Sequence, residues 1–245
     1  MQLQSLPGDD LVRAGNNPSI GRFKLIIISL ALCFLFAVAG PGRIHAAVID
    51  NFPEETFLSS LGEPFSPYFA QTFTALPGVA NDLAVLLAGY SGPDDVDFHL
   101  LITEVTGSGL DFHPTTVLFE SPGITFSSSA PATVIHIPLP NLSLVPGNTY
   151  AFIFDAFVTR DGLDGTARVA TNGTYADGAF YFNQGFGGDT RDEHFADQWF
   201  FAEAIYTPPY HDLAFQMNFI PAPAAAWLFG SGLLVMMSFY RRQKE

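Results

Sequence analysis

The chain has 245 residues, is 48% hydrophobic and carries a formal net charge of −14. Between Ala47 and Ile220, 21 carboxylates face only Arg160, Arg168 and Arg191 and no lysine, a net charge of −18. Such a surface repels phosphates and anionic lipid, which excludes nucleic acid as a partner. The single cysteine, Cys33, lies ahead of that region, so disulfides have no part in its fold.

Arg22 and Lys24 precede an apolar run, Leu25 to Ala39, that ends at Gly40-Pro41-Gly42 and the small residues Ala46-Ala47. A positive n-region, an h-region of signal-peptide length (25–39) and an alanine-type cleavage site predict a leader over 1–46, cut after Ala46 or Ala47. One domain's length follows, 47–219. Period-2 alternation marks Val96-Phe98-Leu100-Ile102, Tyr150-Phe152-Phe154 with Ala156 and Val158, and Leu213-Phe215-Met217-Phe219. Further strands are expected over 69–75, 83–89, 116–120, 133–139, 167–171, 179–183 and 198–204. Turn clusters such as Ser91-Gly92-Pro93-Asp94, Val145-Pro146-Gly147-Asn148 and Asp161-Gly162-Leu163-Asp164-Gly165 separate them. No window of this region shows a sustained helical repeat. The expected fold is all-β: an antiparallel, two-sheet, jelly-roll-like β-sandwich, flanked by an N-terminal signal helix and a C-terminal transmembrane helix.

The tail, 220–245, is the clearest signal. Ala224 to Tyr240 contains no Asp, Glu, Lys or Arg, and as a helix it spans about 25 Å, enough for a thin hydrocarbon core. Trp227 and Tyr240 lie near its ends, and Arg241, Arg242 and Lys244 follow, which places the domain outside and the basic tip in the cytoplasm. Pro221 and Pro223 prevent the helix from starting earlier. Pro221-Ala222-Pro223, the apolar run and Arg241-Arg242 together resemble the PEP-CTERM sorting tail of exopolysaccharide-producing Gram-negative bacteria, with Ala222 in place of the family's Glu. The resemblance implies a membrane partner through 224–240, processing by an exosortase-like protease, and release to the envelope, surface or exopolysaccharide matrix. An ordinary single-pass anchor is the alternative. Phe69-Ala70-Gln71-Thr72-Phe73, Leu144-Val145-Pro146-Gly147-Asn148 and Asp212-Leu213-Ala214-Phe215 also resemble recurring patches of uncharacterised extracellular β-sandwich domains that precede such tails. An Arg often follows the last patch there; Gln216 stands here.

Catalytic signatures are missing. There is no Gly-x-Ser-x-Gly elbow, no His-Glu-x-x-His and no phosphate loop, so the expectation is a non-enzymatic protein. The rival is a polysaccharide hydrolase or lyase using Glu104, Asp155 or Glu203, which needs two carboxyls about 5 to 9.5 Å apart. His99 and His136 fall in strand patterns and read as packing or surface residues. No cofactor is expected, calcium excepted: the oxygen-rich loops carrying Asp161 and Asp164, and Asp189 and Asp192, are its candidate sites. Aromatics dense in the last third, Tyr175, Tyr181 and Trp199 among them, suggest flat faces for sugar rings.

Overall fold

The computed structural model describes residues 46–52, 56–63, 65–173, 175–185, 189–205 and 212–221. Residues 1–45 of the leader expected over 1–46, and Ala222, Pro223, the run 224–240, Arg241 and Arg242, lie outside them. Among the described residues no helix is long and apolar enough to cross a membrane.

Two antiparallel sheets make up the domain. The first contains β1 (Ala47–Asp50), β13 (Phe215–Ile220), β4 (Val79–Ser91), β10 (Gly165–Thr171) and β2 (Thr56–Glu63) in that order, with β8 (Thr133–Ser143) on the other side of β4. The second runs β12 (Phe200–Phe201), β11 (Phe180–Asn183), β3 (Tyr68–Thr74), β9 (Thr149–Asp155), β5 (Val96–Thr106) and β6 (His113–Glu120), with β7 (Ile124–Phe126) also on β5. The chain crosses between sheets at most connections, so neighbouring strands are distant in sequence.

Alternation decides the core. Phe69, Phe73, Phe98, Phe152, Phe154, Phe180, Phe215 and Phe219 point between the sheets and are fully buried. Their intervening neighbours on the second sheet, Tyr68, Ala70, Leu101, Ala151 and Ile153, point to its outer face. That face is covered rather than solvated: Phe112, Phe195, Trp199 and Tyr181 pack over it.

The expected strands are present except one. Over 198–204 the strand shrinks to β12, and a helical turn, α2 (Ala202–Ile205), follows. A helix, α1 (Arg191–Ala196), occupies what reads as a loop in the sequence. It forms because the Thr190 hydroxyl accepts from the Glu193 amide while the Glu193 carboxylate accepts from the Thr190 amide, a complete capping box. The alternation expected to continue through Ala156 and Val158 stops at Asp155, where the chain turns and the Phe157 amide donates to the Asp155 side chain.

Candidate functional site

Asp155 ends β9, where it lies between Tyr68 of β3 and His99 of β5. Alternation after the core residue Phe154 turns its carboxylate to the outer face, where it is 0% exposed. One oxygen accepts from the amides of Phe157 (3.0 Å) and Val158 (3.4 Å). The other accepts from Arg191 Nε at 2.6 Å. The far side of the same guanidinium donates twice to Glu120, at 2.9 and 3.0 Å. Helix α1 therefore reaches back to the sheet through one arginine held by two carboxylates in planar, forked geometry.

His99 completes the group. Its Nδ1 lies 2.9 Å from the Ser121 carbonyl and 3.2 Å from the Glu120 carboxylate. Both neighbours only accept, so Nδ1 carries the proton. Burial pushes the Asp155 carboxyl up, while Arg191 and the two amides pull it back. The Arg191 hydrogen bonds hold Glu120 below the ordinary carboxylate value, and Glu120 in turn raises the guanidinium. Above this network lies an open depression of about 460 Å³, lined by His99, Glu120, Val158, Thr190, Arg191 and Asp192. Its size falls in the range of small-ligand sites. Its lining is four charged or ionisable side chains, one hydroxyl and one apolar wall, with Arg191, Glu120 and His99 tied to one another or to the backbone.

The residues expected to stack on sugars lie elsewhere. Trp199 is 1% and Tyr181 2% exposed. Tyr181 stacks on Phe112 at 3.9 Å, Trp199 meets the same ring edge-on, and the Tyr181 hydroxyl accepts from the Gly109 amide. Tyr175 sets its edge against Phe215 and accepts from the Thr74 amide. The two buried rings thus fill the layer on the second sheet and turn no face to solvent, which corrects the aromatic-platform expectation for Tyr181 and Trp199. Within that layer Tyr68 Oη, Trp199 Nε1 and both His194 ring nitrogens have no hydrogen-bond partner among the described residues.

The four calcium candidates do not converge. Asp161 accepts from the Leu163 amide within its own turn, and its loop meets Glu63, Asp94, Asp95 and Asp97 around a crevice of about 20 Å³. Asp189 and Asp192 flank Thr190 and Arg191 at the start of α1, and Asp192 lines the larger depression. No three His, Cys, Asp or Glu side chains form a metal-holding group among the described residues. The rival carboxylates are likewise dispersed. Glu104 stands opposite Tyr150 on β9, whereas Asp155 stands opposite His99. Five strand positions separate them, about 17 Å, well beyond a glycosidase pair. Glu203 is exposed on α2.

Arg191 and Glu120 carry no motif in the sequence, and only the Thr190-to-Glu193 spacing hints that residues 190–193 start a helix. No protein-family model matches the chain, and no curated protein matches it. Among solved structures, one likeness is to the cysteine protease and lectin-like domains of Cwp84, a surface layer associated protein of Clostridium difficile. It has 11% identity and a TM-score of 0.38, and spans 69% of this chain and 37% of that one. The chain thus spans little more than a third of that protein, and a likeness this slight carries no weight for fold or function.

Proposed function

We propose that this chain is an exported, non-enzymatic, jelly-roll-like sandwich that joins the cell envelope or exopolysaccharide matrix after its PEP-CTERM-like tail is processed, and that it binds glycan at the Arg191 depression. The observation that carries the binding reading is the Asp155–Arg191–Glu120 bridge. Burying a carboxylate and a guanidinium costs several kcal/mol that their attraction only partly returns, about break-even against apolar residues. Stability alone is a weak reason to keep such a bridge. It does fix carboxylate acceptors and an imidazole beside the guanidinium at an open surface, groups that match sugar hydroxyls. The wide spacing of Glu104 from Asp155 counts against that pair as hydrolytic carboxyls.

Retention on immobilised exopolysaccharide from the source cells tests the binding. Wild-type chain is expected to be retained and Glu120→Gln with Asp192→Asn to pass through; wild type in the flow-through removes the reading. Mass spectrometry of the native C-terminus tests the address. Chains ending between Ile220 and Ala224 outside the inner membrane support sorting, and chains still carrying Arg241 to Glu245 only in membranes mean an ordinary anchor.

A further inference from the structure

The sandwich has two chemically unlike ends. At one, Val79 of β4 pairs with both Ile220 of β13 and Ser143 of β8, and Ala47 of β1 pairs with Phe219. Thr74 and Thr149 close the second sheet at the same end. The Ala75 amide donates to the Asn148 carbonyl, and the Gly147 amide to that of Ala75, so the loops 75–78 and 144–148 are cross-linked there. Residues 46–49, 75–79, 143–149 and 220–221 contain no ionisable side chain. They expose Val145 (58%), Val48 (43%) and Ile220 (38%), with Pro77 and Pro146 also exposed. The nearest ionisable groups in register are His113, opposite Thr106 at the end of β5, Glu104, opposite Tyr150, and Asp177, whose carbonyl accepts from Thr74.

At the other end, Ser91 pairs with Thr166, Gly165 with Glu63, and the Asp94 amide donates to the Asp164 carbonyl. Glu63, Asp94, Asp95, Asp97, Asp161 and Asp164 gather there against Arg160 alone. Twelve steps along β4 separate the two ends, about 40 Å, several Debye lengths in physiological salt.

We infer that the uncharged end is the face that rests on the outer surface of a lipid bilayer. The inference depends on the tail reading, in which Ala224 to Tyr240 spans the membrane. Only Pro221, Ala222 and Pro223 then separate β13 from the span, about 10 Å when extended. Six strands side by side in the second sheet are about 24 Å across, wider than this tether is long. The domain therefore cannot stand clear of the headgroups. It meets them with the end that β13 leaves, or lies on its flank. Lying on the first sheet brings Asp50 and Asp82 toward the bilayer, since Asp82 bonds the exposed His136 on that outer face and Asp50 bonds Gln216. Standing on the uncharged end instead sets small apolar side chains at the headgroups and holds the acidic end in water. The Arg191 depression also faces outward, because Asp155 lies six strand positions from Thr149, about 20 Å up β9.

The test uses the full chain with Cys33→Ser, reconstituted in phosphatidylcholine vesicles, and one cysteine per variant carrying an environment-sensitive fluorophore. Ser231→Cys reports the tail, Val145→Cys the uncharged end, His136→Cys the first sheet's outer face and Asp95→Cys the acidic end. Expected are quenching of the 231 and 145 labels by nitroxide lipids, with a blue shift at 145, and iodide quenching alone at 136 and 95. Quenching at 231 with an aqueous label at 145, or with a lipid-quenched label at 136, overturns the orientation and leaves the tail reading standing. An aqueous label at 231 overturns both.

Discussion

Gln71 Nε2 donates to Asp212 Oδ1 at 2.9 Å, while Gln71 Oε1 accepts from the Leu213 amide at 2.7 Å. One side chain of β3 therefore fastens the segment entering β13, at a point 141 residues away along the chain. Asn51 extends the link by donating to the Leu213 carbonyl, and Asn172 by donating to that of Asn51. All of these groups are buried, so each hydrogen bond is made where water cannot substitute for it.

Replacing Gln71 by Leu keeps much of its volume and removes both bonds, together with the Nε2 donation to the Thr72 carbonyl. It strands an amide and a carboxylate oxygen in the interior. The expected loss is about 3 kcal/mol, read from the urea midpoint at unchanged m-value. A loss under about 1 kcal/mol means that water reaches the site.

The Arg191 bridge predicts a strongly non-additive pair. Arg191→Met leaves the Asp155 carboxylate buried without its counter-charge and is expected to cost about 3–5 kcal/mol. Adding Asp155→Leu to Arg191→Met recovers part of that loss, although the Phe157 and Val158 amides then lose their acceptor. A double-mutant cycle by chemical denaturation reads the coupling. Additive single effects mean that the two groups are not a pair in solution.

Sequence alternation located most of the sandwich because its inward residues are mostly large and aromatic: Phe152 and Phe154, or Met217 and Phe219, show the period directly. It failed where the outer face is also buried. Tyr181 and Trp199 read as a sugar platform because nothing local reveals that Phe112, 69 positions before Tyr181, stacks on one of them. Thr190 to Glu193 did encode a helix start, but six residues are too few to show a helical period. The patches around Gln71 and Asp212 were visible as patches; that they touch is a property of the crossover topology alone. Arg191 was countable as one of three arginines in the acidic domain, yet its two partners come from β6 and β9, and no spacing links them.

Acid should weaken the domain partly through Glu120. Its folded value is depressed by Arg191 from the ordinary 4.5, so the stability it contributes is present above that value and is lost as pH falls from 4.5 through the folded value. Glu193 is depressed by the Asp189 amide and acts with the same sign. Asp155, raised by burial, takes up its proton in the folded state first and acts in the opposite sense. Glu120→Gln is therefore expected to flatten the fall in Tm between about pH 5 and pH 3, at some cost in Tm near neutrality. An unchanged slope assigns the acid sensitivity to other carboxylates.

Tyr175 gives the alkaline counterpart. Burial pushes its phenol up to about 12 from 10.0, so the folded state favours the neutral ring. That contribution is complete below 10.0 and is lost as pH rises through about 12. Spectrophotometric titration should show one phenol fewer ionising near pH 10.0 in the Tyr175→Phe variant only after unfolding, with native spectra at that pH unchanged.

Two glycines separate crowding from backbone conformation. A Cβ at Gly165 would lie 2.5 Å from the Asp95 carbonyl oxygen and 2.7 Å from that of Asp94. These are backbone atoms, so relief requires moving the loop between β4 and β5 that carries them and the acidic end with it. Gly147, in the uncharged end, has nothing within 4 Å of its Cβ position but a φ of +83°. Gly165→Ala is expected to cost about 1–3 kcal/mol through overpacking, and Gly147→Ala about 1–2 kcal/mol through the left-handed backbone. Asparagine distinguishes the causes, since it tolerates the left-handed region and is larger than alanine. Gly147→Asn should restore most of the stability that alanine loses, whereas Gly165→Asn should be at least as damaging as Gly165→Ala. Thermal melts of the four variants check both, and recovery at 165 with asparagine would mean that the loops of Asp94 and Asp95 yield where the structure packs them tightly.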